Sequence, residues 1–145
     1  MNKFIIFKQT NGSLGVILPT GILSIEETAQ KDVPANCPYK IIDRSDLPEE
    51  AIYWDEFFDA VEFDFSKSND ELKLNLSKAK EISHEKRRAA RSQDFQPWDV
   101  KATIPSEQAA AESERQKIRD KYAAMQENID KAKSVQELSQ LTPKV

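Results

Sequence analysis

At 145 residues, the chain is long enough for one domain or a small domain with a helical appendage. Charged residues make up 32% of it and hydrophobic ones 39%, polar for a globular protein but outside the disordered range. With 21 basic and 25 acidic side chains the net charge is -4, against a generally basic nucleic-acid coat; 3 glycines are too few for Gly-rich phosphate loops, and a single cysteine excludes an internal disulfide framework or a cysteine zinc cage.

The opening run Phe4-Ile5-Ile6-Phe7 predicts a buried strand and is too short for the core of a signal peptide. Asn11-Gly12 follows as a hairpin signal, since both residue types tolerate positive φ, and Leu14 to Leu18 supplies the partner strand before Pro19. Ser24-Ile25-Glu26-Glu27 reads as a capping box opening a helix to about Lys31, ahead of Pro34. Tyr39 to Asp43 reads as a third strand, and Ser45 to Pro48 as a turn.

Residues 49–65 carry six of the twelve aromatic side chains and no positive charge. Val61, Phe63 and Phe65 alternate with Glu62 and Asp64, the period of a strand with its rings inward. Leu72, Leu74 and Leu76 alternate likewise, so residues 60–76 are predicted to form a hairpin with a longer loop. Tyr53, Trp54, Phe57 and Phe58 form consecutive pairs that cannot all point to one face. Those turned outward would make a partner-binding patch rimmed by carboxylates.

From residue 77 onward the pattern is helical. Ser77 can cap a helix over 77–94 with a thin apolar face of Ala79, Ile82, Ala89 and Ala90, and Pro97 is expected to break it. Within it Lys80, His84, Arg87 and Arg91 share a face, and the run through Arg87, Arg88 and Arg91 reads as a solvated face or a docking site for an acidic surface. A nucleic-acid patch there lacks aromatic stacking partners inside the run. Ser106 can cap a second helix over 106–133, about 40 Å long. In it Ala111, Ile118, Tyr122, Met125, Ile129 and Ala132 form a coiled-coil seam interrupted at Arg115. Ile118, Tyr122, Met125 and Ile129 can be buried by the preceding helix or by another chain, including a second copy. Ser134-Val135-Gln136-Glu137 opens a last helix over 135–141, closed by Pro143.

These patterns predict an α+β fold: a small antiparallel β-rich domain over 1–76 with one short helix, then a helical hairpin or projecting arm over 77–145. Charge divides along similar lines, since residues 1–66 hold 5 basic and 12 acidic side chains, net -7, and residues 67–145 hold 16 and 13, net +3.

Catalytic chemistry has little to stand on in this sequence. His84, the single histidine, lies in the basic helix and reads as a solvated imidazole, and Cys37 as an incidental thiol. No cofactor motif, nucleophile elbow or histidine metal spacing occurs, so the expectation is a non-enzyme with no catalytic, cofactor or metal residues. No run approaches the roughly 20 apolar residues of a membrane span.

Lys78-Ala79-Lys80-Glu81-Ile82 through Arg87, Arg88 and Arg91 to Phe95 and Trp98-Asp99-Val100 resembles the C-terminal helical segment of small proteins encoded in tail gene clusters of tailed bacteriophages. Arg115-Gln116-Lys117-Ile118-Arg119-Asp120, Ile129-Asp130 and Ser134-Val135-Gln136-Glu137-Leu138 add to the resemblance. So do Phe4-Ile5-Ile6-Phe7-Lys8, Asn11-Gly12, and Tyr39-Lys40-Ile41-Ile42-Asp43 to Asp46-Leu47-Pro48 in the first half. Such proteins commonly show Leu where this chain has Trp98. The resemblance implies a tail or tail-fibre assembly protein, either an assembly factor or a virion component. Its partners would be tail or fibre subunits, and it would work in the host cytoplasm during assembly. The competing expectation is an intracellular regulatory protein binding nucleic acid or a host factor through the basic helix.

Overall fold

The computed structural model describes residues 2–144 and is α+β. The chain divides into two compact units between Asn75 and Leu76, one residue before the boundary expected from the sequence.

In the first unit, strand β1 (Lys3–Lys8) is the centre of an antiparallel sheet, flanked by β2 (Leu14–Ile17) and β3 (Tyr39–Asp43). A central strand is covered on both faces, and Phe4, Ile5 and Ile6 are accordingly all buried. The β1–β2 turn departs from the expected geometry. Gly12 takes the positive φ of 88° while Asn11 does not; its side chain instead accepts hydrogen bonds from Ser13 N and Oγ at 2.9 and 2.6 Å. Gly15 sits opposite Phe7, whose ring occupies the space a Cβ would need. Helix α1 (Ile25–Asp32) packs on β1 through Thr28 and Ala29, with Ser24 capping it by accepting from Glu27 N at 3.1 Å.

Residues 49–60 form two short 3-10 runs joined at a kink at Phe57 (φ -122°, ψ 29°). Three residues per turn superimposes side chains three apart. Trp54, Phe57 and Ala60 therefore share one buried side, while Ile52 and Asp55 face water. Strands β4 (Val61–Glu62) and β5 (Lys73–Leu74) pair for only two residues each. The longer hairpin stops there because carboxylates capture the backbone. Asp70 accepts from Asp64 N at 2.5 Å, and Asp64 in turn accepts from Ser66 N at 2.9 Å. Phe63 and Phe65 leave the strand and stack edge to face, half-buried, with centroids 4.7 Å apart.

The second unit is an antiparallel hairpin of α2 (Leu76–Lys101) and α3 (Gln108–Lys131), closed by α4 (Val135–Leu141). Ser77 lies inside the first turn of α2 rather than capping it, and Ser106 lies in a 3-10 turn before α3. Ser134 does cap α4, accepting from Glu137 N at 3.2 Å, while Glu137 reaches back to Lys133 N at 3.0 Å. The break expected at Pro97 does not occur, and α2 runs on to Lys101. Proline removes one helical hydrogen bond, but packing offsets the loss. Phe95 and Trp98 rest on a cluster of Ala90, Ile118 and Tyr122, Asp94 accepts from Tyr122 Oη at 2.5 Å, and Asp99 lies 3.1 Å from Arg115 Nε. Replacing Pro97 by Ala is expected to stabilise this unit by about 1–2 kcal/mol, by restoring a donor and helix propensity. A higher urea midpoint measures the gain, and an unchanged or lower one would show that the proline ring contributes more than the lost donor costs.

Candidate interaction surface

The seam is the core of the helical unit. Ile118, Tyr122 and Ile129 are buried by the chain's own helices, and Met125 packs half-buried on the Ala90 cluster. This corrects their expected role as a partner-binding ridge. The inner face of α2 looks thin because its buried residues include the small Ala79, Ser83 and Ala90, which give the facing helices room to close on the seam. Ser83 is satisfied rather than stranded. Thr142 Oγ1 donates to the Leu138 carbonyl at 2.6 Å, so Ser83 Oγ donates to Thr142 across 2.6 Å.

The aromatic group is corrected in part as well. Trp54 and Phe57 belong to the core of the first unit, whereas Tyr53 and Phe58 are half-buried. Ile52 is the apolar residue this segment turns outward, 77% exposed among acidic neighbours.

Of the basic trio, Arg87 is buried and Arg88 and Arg91 are exposed. Arg87 is therefore removed from any docking face. Its Nε donates to His84 Nδ1 at 3.2 Å, so the imidazole proton sits on Nε2 and is donated to Asp130 Oδ1 at 2.8 Å. Lys80 Nζ donates at 2.9 Å to the Asp130 carbonyl, one of the unpaired acceptors in the last turn of α3. His84 is thus a tie between helices, not the solvated imidazole expected, and the in-chain acidic partner of the basic face is Asp130. Burial, together with Arg88 and Arg91 nearby, lowers the Arg87 pKa from its ordinary value, and Asp130 opposes this.

Tyr122 provides the clearest pH dependence. Burial, reinforced by the hydrogen bond to Asp94, pushes its pKa up to about 12 from 10.0. The folded state holds the phenol proton more tightly than the unfolded chain does. Stability from this group is therefore complete below pH 10 and is lost as pH rises toward 12, by about 2–3 kcal/mol. Urea titrations across that window should show a steeper alkaline loss for the native chain than for Tyr122→Phe. Equal losses would show that lysine titration alone accounts for it.

The surface left open lies at the turn end of the hairpin. Val100 is 66% exposed and Ile104 41%, while Trp98 is half-buried and Lys101 Nζ lies 4.7 Å from its ring centroid. Along the same flank Arg91 lies 4.7 Å over Phe95. Sequence reasoning missed this strip because a helix stopped at Asp94 separates Arg88 and Arg91 from Phe95 and Trp98. Continued to Lys101, the three- and four-residue spacing places all four on one flank. The signal was present in the Arg91-Phe95-Trp98 spacing, which runs through Pro97. A second apolar exposure, Leu18 and Ile22, lies in the first unit, where Ile22 borders a shallow groove with Lys3, Ile25 and Asp43.

Among the described residues, no three metal-capable side chains cluster, and no helix is long and apolar enough to cross a membrane. Compared with protein-family models, curated proteins and solved structures, the chain matches none.

Proposed function

We propose that the chain is a non-enzymatic bacteriophage tail protein that acts in tail or tail-fibre assembly by gripping other protein subunits. The observation that carries this reading is the turn end of the helical hairpin, where Val100 and Ile104 are exposed on a frame braced by the Asp94–Tyr122 and Asp99–Arg115 contacts. A pre-ordered apolar surface binds without the entropic cost of ordering a loop, which suits repeated docking during assembly. The resemblance to small tail-cluster proteins supplies the biological setting, and it spans both halves of the chain.

Co-expression with the tail and fibre subunits of the same gene cluster, followed by affinity purification, tests the reading. Recovery within assembled tails makes the chain a virion component. Capture of free fibre subunits, with absence from finished tails, makes it an assembly factor. Failure to bind either overturns the proposal. The competing nucleic-acid reading, which rests on Lys86, Arg87, Arg88 and Arg91, loses Arg87 to burial, while Lys86 is half-buried and Arg88 and Arg91 are exposed.

A further inference from the structure

We propose that the free edge of β3 takes up an extended, basic segment of a partner protein as an added strand. The proposal deepens the reading of the chain as a binder of protein subunits and rests on that part of it. The pairing pattern shows which backbone groups are open. Lys8 N donates to the Pro38 carbonyl at 2.9 Å and Arg44 N to the Asn2 carbonyl at 2.7 Å, so hydrogen-bonded pairs bracket the β1–β3 ladder. In an antiparallel ladder such pairs alternate with unbonded ones. Lys40 and Ile42 therefore bond to β1, while Tyr39 and Ile41 turn N–H and C=O toward the outer edge. No hydrogen bond from the described residues reaches those outer groups. A cavity of about 550 Å³ lies there, walled by residues 40–43, 46–48 and 69–72. Successive strand residues point to opposite faces, so a cavity touched by four in a row runs along the edge rather than over one face.

Charge selects the occupant. The cavity is lined by one cation, Lys40, and four carboxylates, Asp43, Asp46, Asp70 and Glu71, net -3. Lys40 is drawn aside over the Phe63 ring, 5.4 Å from its centroid. The other cations nearby are already placed. Lys3 stands opposite Asp43 in the ladder, Lys73 lies 4.0 Å from Asp70, Lys67 lies 3.9 Å from Asp64, and Arg44 sits 5.7 Å over the Phe4 ring. Asp46 and Glu71 hold no ion pair among the described residues, and Glu49 and Glu50, which follow Pro48, are exposed. Hydrogen bonds from Ser45 keep Asp43 below its ordinary pKa, and the one from Asp64 N does the same for Asp70, so both stay ionised. Lysine and arginine side chains fit such an edge. Its acidity repels a nucleic acid, and it opposes pairing with the β3 of a second copy, which would set like charges together. In strand addition the main chain supplies affinity and the side chains supply selection.

The probe is a fluorescein-labelled hexapeptide of alternating Lys and Thr, titrated with the full chain and followed by anisotropy. Saturable binding is expected, weakened roughly ten-fold or more by Asp46→Lys with Glu71→Lys and unchanged by Glu85→Lys with Glu127→Lys in the helical unit. N-methylating the peptide backbone removes its donors and keeps its charge, and should weaken binding by roughly ten-fold as well. Circular dichroism confirms that each variant is folded. Amide hydrogen exchange read by NMR locates the added strand. In the free chain Ile41 should exchange quickly and Lys40 and Ile42 slowly, and saturating peptide should slow Ile41 by roughly ten-fold or more. Equal loss in the Glu85 and Glu127 variant, undiminished binding of the N-methylated peptide, or an Ile41 amide left unprotected overturns the proposal. So does protection of Ile41 by self-association without peptide, which would assign the edge to a second copy. If tail or fibre subunits are captured while the peptide is not, the assembly reading stands and this edge is not its docking site. If the peptide binds and no subunit is captured, the edge stands without that setting.

Discussion

Phe57→Ala is expected to cost the first unit about 3–5 kcal/mol, the range for deleting a buried aromatic ring. The ring is fully buried, and its neighbours along the 3-10 runs, Trp54 and Ala60, are buried on the same side. Alanine accepts the backbone angles at the kink, so the loss comes from the vacated volume rather than from strain. The two short runs are fixed by that shared side, which limits collapse into the cavity. Each unit contains one tryptophan, so Trp54 emission in a Trp98→Phe background isolates this transition. With a urea slope of about 1–3 kcal/mol per molar, the midpoint should fall by at least 1 M or so. A shift worth less than about 1 kcal/mol would show that the ring is not a core element.

Ile129→Ala is expected to destabilise the helical unit by about 2–5 kcal/mol, and Ile129→Val by only about 0.5–1.5 kcal/mol. Ile129 is fully buried in the last turn of α3, and its carbonyl accepts from Ala132 N where the chain bends toward α4. Ala132, Val135 and Leu138 are buried immediately beyond that bend. Removing three carbons there loosens the point at which α3 hands over to α4. Thermal unfolding followed by helix ellipticity measures both variants. A valine variant as damaged as the alanine one would point to distorted packing rather than to lost volume.

The elements legible in the sequence were those whose signals are local. The run Phe4-Ile5-Ile6-Phe7, the boundaries of Tyr39 to Asp43 and the caps at Ser24 and Ser134 depend on near neighbours in the chain, and each is found where those signals lie. Pro97 was read through its local penalty alone, and the contacts of Phe95, Trp98, Asp94 and Asp99 with α3 lie outside any local window. The acidic aromatic segment follows a period of three, which falls between the templates for strand and α-helix. His84 looked like a surface residue because Asp130, which it contacts at 2.8 Å, lies more than forty positions away, and Arg87 is tied inward through His84. The open strip on α2 was hidden by the same error at Pro97. One misplaced helix end thus concealed that whole flank.

Arg115 carries a consequence of its own. An apolar ridge built on a repeating spacing is ambiguous, because sliding α3 along α2 by one repeat would bring similar side chains into similar recesses. Arg115 interrupts that ridge and reaches Asp99 at 3.1 Å while holding Glu112 at 3.2 Å. A slipped pairing would strand the guanidinium away from Asp99, so one alignment is singled out from its near-equivalents. The residue that looks like a flaw in the pattern acts as a vernier mark, setting how far along the rod the turn is formed.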